Sequence, residues 1–308
     1  MGTDVSVIVV GGPIGLLERA RSRVEQLEQM WSRFRPDSEI SRLNSNGGLP
    51  VRVSPETVEL VERAVEGWHL SGGAFDPTLL GPLVEAGYDR TFEEVVARTE
   101  QDLVDTQPVP LPIAGCESVA VTGDTVCLAD GIGFDPGGIG KGLAADMIVA
   151  ELMGAGAEGA CANLGGDVRV AGAGPDGDGW TVAVQHPLSD EPLALAGIGE
   201  GAVATSTTLK RRWANRAGWS HHLIDPRSGQ PSESELNFVS VIAAEAWMAE
   251  VLAKAVLING TEYAFDILGG TGAVGICVDQ AGVVRMSDGY PAYLGEATRP
   301  THVTGTAR

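Results

Sequence analysis

Lys141 stands inside a glycine-rich run, Phe134-Asp135-Pro136-Gly137-Gly138-Ile139-Gly140-Lys141-Gly142, that leads into a helical stretch. Glycines let backbone N–H groups turn inward and approach an anion closely, a helix start adds partial positive charge, and the lysine adds a full one. Such a combination suits a pyrophosphate. It is not a Walker loop, because Gly142 stands where Ser or Thr should follow the lysine, and the glycine spacing is not GxGxxG. Taken alone, the segment reads equally well as a tight turn with an exposed lysine. A second constellation, Ser71-Gly72-Gly73-Ala74-Phe75-Asp76-Pro77-Thr78, puts an aromatic ring beside a carboxylate and a hydroxyl. The ring could face a flat ligand and Asp76 could accept from its N–H or O–H groups, while the plainer reading is a helix C-cap entering an Asp-Pro turn. Asn163-Leu164-Gly165-Gly166-Asp167 is a third glycine turn, and His221-His222 precede a further Asp225-Pro226 turn. A histidine with a carboxylate close by can act as a general base, or simply end a strand as a hydrogen-bonded residue. A metal role for it finds no supporting Cys or His cluster.

The elements that must position these residues follow from periodicity. Val5 to Val10 predicts a strand ended by Gly11-Gly12-Pro13. Leu16, Ala20, Val24, Leu27, Trp31 and Phe34 recur at three and four, the spacing of an amphipathic helix. Ser54-Pro55 is an N-cap with proline at the first helical position, opening a helix expected to bury Val58, Val61, Val65 and Trp68 and to stop near Gly72-Gly73. A proline-rich loop is expected at Val104 to Pro112, then short strands at Ser118 to Val121 and Thr125 to Leu128, and a helix from about Gly142 to Met153. Strands are predicted at Val168 to Val170, Trp180 to Gln185, Ala202 to Thr205, Gly275 to Val278 and Val283 to Met286, with a last helix over Ala243 to Ile258. Helices and strands alternate without a βαβ period. The expectation is therefore an α+β fold, mixed sheets with packed helices in one domain spanning 1–308.

Charge narrows the partners. The 21 basic and 41 acidic side chains of the 308 residues give a formal −20, which repels nucleic-acid backbones and anionic lipid. Any anionic ligand must then be met by a local nest of N–H groups and a few placed cations. Cys116, Cys127, Cys161 and Cys277 form no CxxC pair and are expected as reduced core thiols. The opening MGTDVSVIVVGG suits a strand better than a signal peptide, and no stretch reaches the ~20 apolar residues of a membrane span, so a cytoplasmic location is expected.

In this order, the segments resemble the FAD:protein FMN transferase (ApbE) family. The resemblance runs from Met1-Gly2-Thr3 through Phe34 to Asn44, GGAFDPT at 72–78, DPGGIGKGLAAD at 135–146, NLGGD at 163–167, ATS at 204–206, HLIDPRSG at 222–229 and AEVLAKA at 249–255. It implies an α+β fold binding FAD as a substrate, whose FMN half passes to a Ser or Thr hydroxyl of a partner flavoprotein with release of AMP, usually with magnesium. Some relatives instead hydrolyse FAD, and a non-catalytic FAD-binding protein is a further alternative. By the resemblance, Met1, Ala74, Phe75, Asp76, Asp135, Lys141 and Ile224 line the FAD site, partly through backbone atoms, and His222 takes the acceptor's proton.

The sequence departs from the pattern at the expected metal position, where a helix usually presents Asp and, four residues later, Thr. Here these are Glu250 and Lys254, with a carbonyl ligand expected from Gly138. Glu250 and Lys254 could form an ordinary i,i+4 surface pair. Periodicity argues otherwise: Trp247, Leu257 and Ile258 share their side of the helix, while Met248, Val251, Leu252 and Val256 cover the rest. A helix apolar all round is buried, and a buried ion pair there needs a reason. Lys254 is thus a candidate catalytic residue, supplying charge that magnesium supplies elsewhere.

Overall fold

The computed structural model describes residues 2–99, 102, 115–177, 179–216 and 218–295. Met1 and the predicted loop at Val104 to Pro112 lie outside these. Two units emerge, each assembled from separate stretches of chain: 1–2, 26–140 and 208–233 form the first, and 3–25, 141–207 and 234–308 the second. The chain passes from one to the other within helix α1 (Leu16–Trp31), which buries Leu16, Ala20, Leu27 and Trp31 as the spacing of three and four predicts and leaves Val24 half-buried. Phe34 lies past its end, two residues before Pro36, a residue that cannot continue a helix.

In the first unit, helix α2 (Pro55–Leu70) starts where Ser54 predicts, its Oγ accepting the Thr57 N–H at 3.2 Å. The buried stripe is nevertheless rotated from the predicted one. It comprises Thr57, Leu60, Val61, Ala64 and Gly67, leaving Val58, Val65 and Trp68 half-buried. Thr57 can be interior because its hydroxyl accepts the Trp31 indole N–H at 3.2 Å and donates to the Glu39 carboxylate. Short strands Ala120–Thr122 and Thr125–Cys127 fall close to expectation and pair with each other, and Thr125–Cys127 pairs on its other side with Val51–Arg52. A second small core gathers Leu79, Leu83, Ala86, Tyr88, Val95, Trp213 and Ile224.

The second unit is built on seven antiparallel strands lying side by side in chain order: β1 (Val5–Val10), β2 (Gly159–Leu164), β3 (Asp167–Gly172), β4 (Gly201–Thr207), β5 (Leu236–Ala243), β6 (Val274–Asp279) and β7 (Val284–Met286). Period two separates the faces. Val203, Phe238, Ile242, Ile276 and Val278 pack with Trp180, Val184, Ala194 and Ile198 of the hairpin Trp180–Gln185/Pro192–Ile198. Helix α3 (Gly140–Gly154) and helix α4 (Ala246–Asn259) complete this unit, α4 lying against β4 and β5. Because β5 is covered on both sides, it reads as a nearly continuous apolar run and not as an alternating one. The mixed helices and sheets bear out the α+β expectation. All four cysteines are free, and no helix among the described residues is long and apolar enough to cross a membrane.

Candidate functional site

Four charged side chains converge inside the second unit. Helix α4 is buried almost all round, as its composition predicts, and carries Glu250 into the interior at 1% exposure. One turn later Lys254 reaches back, its Nζ donating to Glu250 Oε1 at 3.1 Å. The Lys141 ammonium donates to the same Oε1 and lies 2.6 Å from Asp167 Oδ2. Glu250 Oε2 accepts the Gly142 N–H at 2.8 Å. The result is two ammoniums and two carboxylates, with Glu250 as their hub.

Local sequence explains how these residues reach one another. A Cβ at Gly142 would lie 2.4 Å from the Ala246 carbonyl oxygen, so only glycine lets the start of α3 come this close to the start of α4. That steric demand also explains why no Ser or Thr follows Lys141. The start of α4 is in turn held by Asp146 of α3, whose carboxylate accepts the Ala246 and Trp247 N–H groups at 2.8 and 2.9 Å. Asp167 is delivered by the Gly165-Gly166 hairpin turn, in which both residues have positive φ (66° and 100°), the conformation a two-residue loop between β2 and β3 requires. Sequence reasoning saw this glycine turn but missed the carboxylate at its end as a functional residue. The signal was its place in NLGGD.

The charges are unequally compensated. Burial works against the Lys141 cation, but Asp167 and Glu250 outweigh it and hold its pKa above the ordinary lysine value. Burial dominates at Lys254, with Lys141 adding to it against Glu250 and Asp167, and its pKa falls. At Glu250 the desolvation penalty is overcome by the two ammoniums, which keep the carboxyl well below the usual range.

The anion nest expected at 137–142 is partly committed within the chain. Asp135 Oδ1 accepts the Gly137 N–H at 3.1 Å, the Ile139 N–H reaches the Pro136 carbonyl at 3.1 Å, and the Gly142 N–H serves Glu250. Asp135 also pairs with Arg33 (3.4 Å), whose guanidinium lies over the Phe34 and Tyr88 rings. Asn44 pins the same turn from its other end, exchanging two hydrogen bonds with the Phe134 backbone at 2.7 and 2.9 Å.

Other expected residues lie in the first unit with Asp135 and Gly138: Ala74, Phe75, Asp76, His222 and Ile224. Phe75 and Ile224 are buried (4% and 6% exposed), so they can offer a ligand main-chain atoms and not an open ring or side-chain face. Asp76 is fastened by its Oδ1 to the Thr78 N–H and O–H at 2.8 and 2.5 Å, and burial, with Glu117 adding to it, raises its pKa. The two adjacent histidines separate clearly. His221 bridges the Ser232 carbonyl (Nε2, 3.0 Å) and the Leu223 N–H (Nδ1, 3.3 Å), which fixes one neutral tautomer, and burial lowers its pKa. It is a structural histidine. His222, the expected base, is half-buried just past the strand Gly218–His221.

Residues 1–275 match the family model described as the ApbE family. The chain belongs to the ApbE family. Among similar ApbE relatives, the FAD:protein FMN transferase of Vibrio cholerae serotype O1 is 27% identical over 282 residues, covering 90% of this chain and 81% of the relative. That of Treponema pallidum is 30% identical over 267 residues, covering 82% and 73%. The crystal structure of the ApbE protein of Thermotoga maritima superposes with a TM-score of 0.81 at 26% identity, covering 96% of this chain and 97% of the other.

Proposed function

We propose that this ApbE-family chain is a flavin transferase that binds FAD and passes its FMN moiety to a Ser or Thr hydroxyl of a partner flavoprotein, with AMP leaving. The observation that carries the reading is the pair of ammoniums, Lys141 and Lys254, drawn onto one buried carboxylate in a chain of net charge −20. A cation pair placed so deliberately against the general field suits a pyrophosphate. By the resemblance, Asp76, Asp135, Ala74, Phe75, Ile224 and Lys141 keep their assignment to FAD. Met1 keeps it by the resemblance alone.

In the reaction, the acceptor oxygen forms a bond to the FMN phosphorus while the bond from that phosphorus to the bridging oxygen breaks. The acceptor's proton goes to His222, and the bridging oxygen leaves on AMP with the electron pair. His221 is held by Ser232 and Leu223, and His222 has the base role by the resemblance. Water in place of the hydroxyl would give free FMN and AMP.

Flavin-fluorescence titration tests the binding step, with tighter binding of FAD than of FMN expected; equal affinity for the two argues against a pyrophosphate site. Incubation of the chain and FAD with a cell lysate then tests the transfer. Flavin that stays on a protein band through denaturing electrophoresis, together with AMP release, supports it. Free FMN with AMP assigns a hydrolase, and no AMP refutes catalysis.

A further inference from the structure

The ApbE pattern implies a divalent cation near positions 250 and 254, and the donor set at those positions does not fit one. A hard cation takes about six oxygen ligands. Glu250 Oε1 is already shared by the Lys141 and Lys254 ammoniums, and Oε2 by the Gly142 N–H. The other carboxylate of the cluster, Asp167, is turned onto Lys141. Among the described residues, no three His, Cys, Asp or Glu side chains are grouped to hold a metal ion. An ion placed at Glu250 would have to evict two positive charges that repel it.

We propose that this chain meets the FAD pyrophosphate without a divalent cation, and that the Lys254 ammonium is the counter-charge in its place. The inference rests on the flavin-transferase reading and specifies how that site handles charge. The two lysines are not equivalent. Lys141 lies between two carboxylates, Glu250 and Asp167, so its charge is compensated inside the protein. Among the described residues Lys254 is paired directly with Glu250 alone, whose Oε1 also receives Lys141. It is therefore the less compensated cation of the two. Its side chain is 12% exposed, against 19% for Lys141 and 1% for Glu250, so both ammoniums, unlike the carboxylate, are open to a ligand. An ammonium has three N–H donors, and a phosphoryl oxygen arriving at Lys254 would use those that Glu250 does not. Glu250, unable to ligate, becomes the residue that orients both ammoniums.

The test uses the purified full chain and reads binding, not turnover. Mn2+ alone, followed by electron paramagnetic resonance, should show no stoichiometric site. The FAD dissociation constant should agree within about 2-fold between EDTA and millimolar magnesium. Lys254→Met keeps the stem and removes the charge, and should weaken FAD binding in EDTA by about 10-fold or more, the worth of one charge-assisted hydrogen bond. The double variant Glu250→Asp/Lys254→Thr should gain a Mn2+ site. A stoichiometric Mn2+ site in the unaltered chain, or FAD binding that appears only with magnesium, overturns the proposal and leaves the flavin reading intact. Absence of FAD binding in both buffers overturns the flavin reading and the proposal with it. Should Lys254→Met fail to fold, the Mn2+ and EDTA measurements on the unaltered chain decide alone.

Discussion

Replacing Glu250 by Gln keeps the shape of the hub and an amide oxygen for Gly142 while removing one buried negative charge. Lys141 keeps Asp167 at 2.6 Å, whereas Lys254 loses the carboxylate it holds at 3.1 Å. At that separation and an effective dielectric constant of ~20, the lost attraction is about 5 kcal/mol as an upper bound. Breaking a buried pair by removing one partner costs about 3–5 kcal/mol in general, and the partners left to Lys141 and Gly142 favour the lower end, about 3 kcal/mol. The pH dependence has a definite sign. Lys254 is held below its ordinary pKa by burial, and Glu250 is the first of the groups opposing that shift. Without Glu250 the folded-state pKa drops further, so the unfolded chain binds more protons over a wider window below the unfolded lysine value of ~10.4. The deficit of Glu250→Gln against the unaltered chain should therefore be largest near neutrality and shrink toward about pH 10. Urea denaturation followed by tryptophan fluorescence at the two pH values measures both quantities. A variant as stable as the parent at neutral pH, or a deficit that grows with pH, would refute the assignment of Glu250 as a buried ionic hub.

Gly142→Ala sets two known effects against each other. Helix propensity favours Ala by about 1 kcal/mol, but a Cβ 2.4 Å from the Ala246 carbonyl must push apart backbone that Asp146 holds fixed, and overpacking typically costs about 1–3 kcal/mol or more, so thermal melting should show a net loss. A higher melting temperature would mean that the two helix starts are not locked together. Asp146→Ala removes the acceptor for two N–H groups at the start of α4 and should cost about 1–2 kcal/mol in the same assay, with little change if water replaces the carboxylate. His222→Ala should leave FAD affinity nearly unchanged and lower turnover by about 10²-fold, read as AMP release; lost affinity with normal turnover of bound FAD would make it structural.

What was legible in the sequence was whatever depends on neighbours along the chain. The all-round apolar character of 246–259 put Glu250 and Lys254 in the interior and marked their pairing as a cost, since the i,i+4 spacing is local. The Ser54-Pro55 start of α2 was equally plain. Its buried face was not, because Thr57 is accommodated by Trp31 and Glu39, partners 26 and 18 residues away that periodicity cannot weigh. Strand β2, GACANL, escaped prediction because small residues carry little strand preference, and it is held by β1 and β3 on either side.

The same distinction governs the site. Reading 137–142 as a nest assumed that N–H groups at a helix start remain available to a ligand, but the close approach permitted by Gly142 brings the Glu250 carboxylate onto that start first. The partial positive charge at the beginning of α3 is thereby spent inside the protein, on a carboxylate that in turn gathers two lysines. Under the proposal above, anion recognition in the second unit passes from backbone amides to ammonium groups, and from a shape that glycine spacing encodes to a charge balance set by residues 141, 167, 250 and 254, which come from separate stretches of the chain. This shift explains why Lys254 can replace a threonine without leaving a bare charge in the interior. Glu250, with one methylene more than Asp, reaches Lys141, Lys254 and Gly142 at once, and under the same proposal the departure at both positions of the expected Asp and Thr pair follows from a single change in how a pyrophosphate is neutralised.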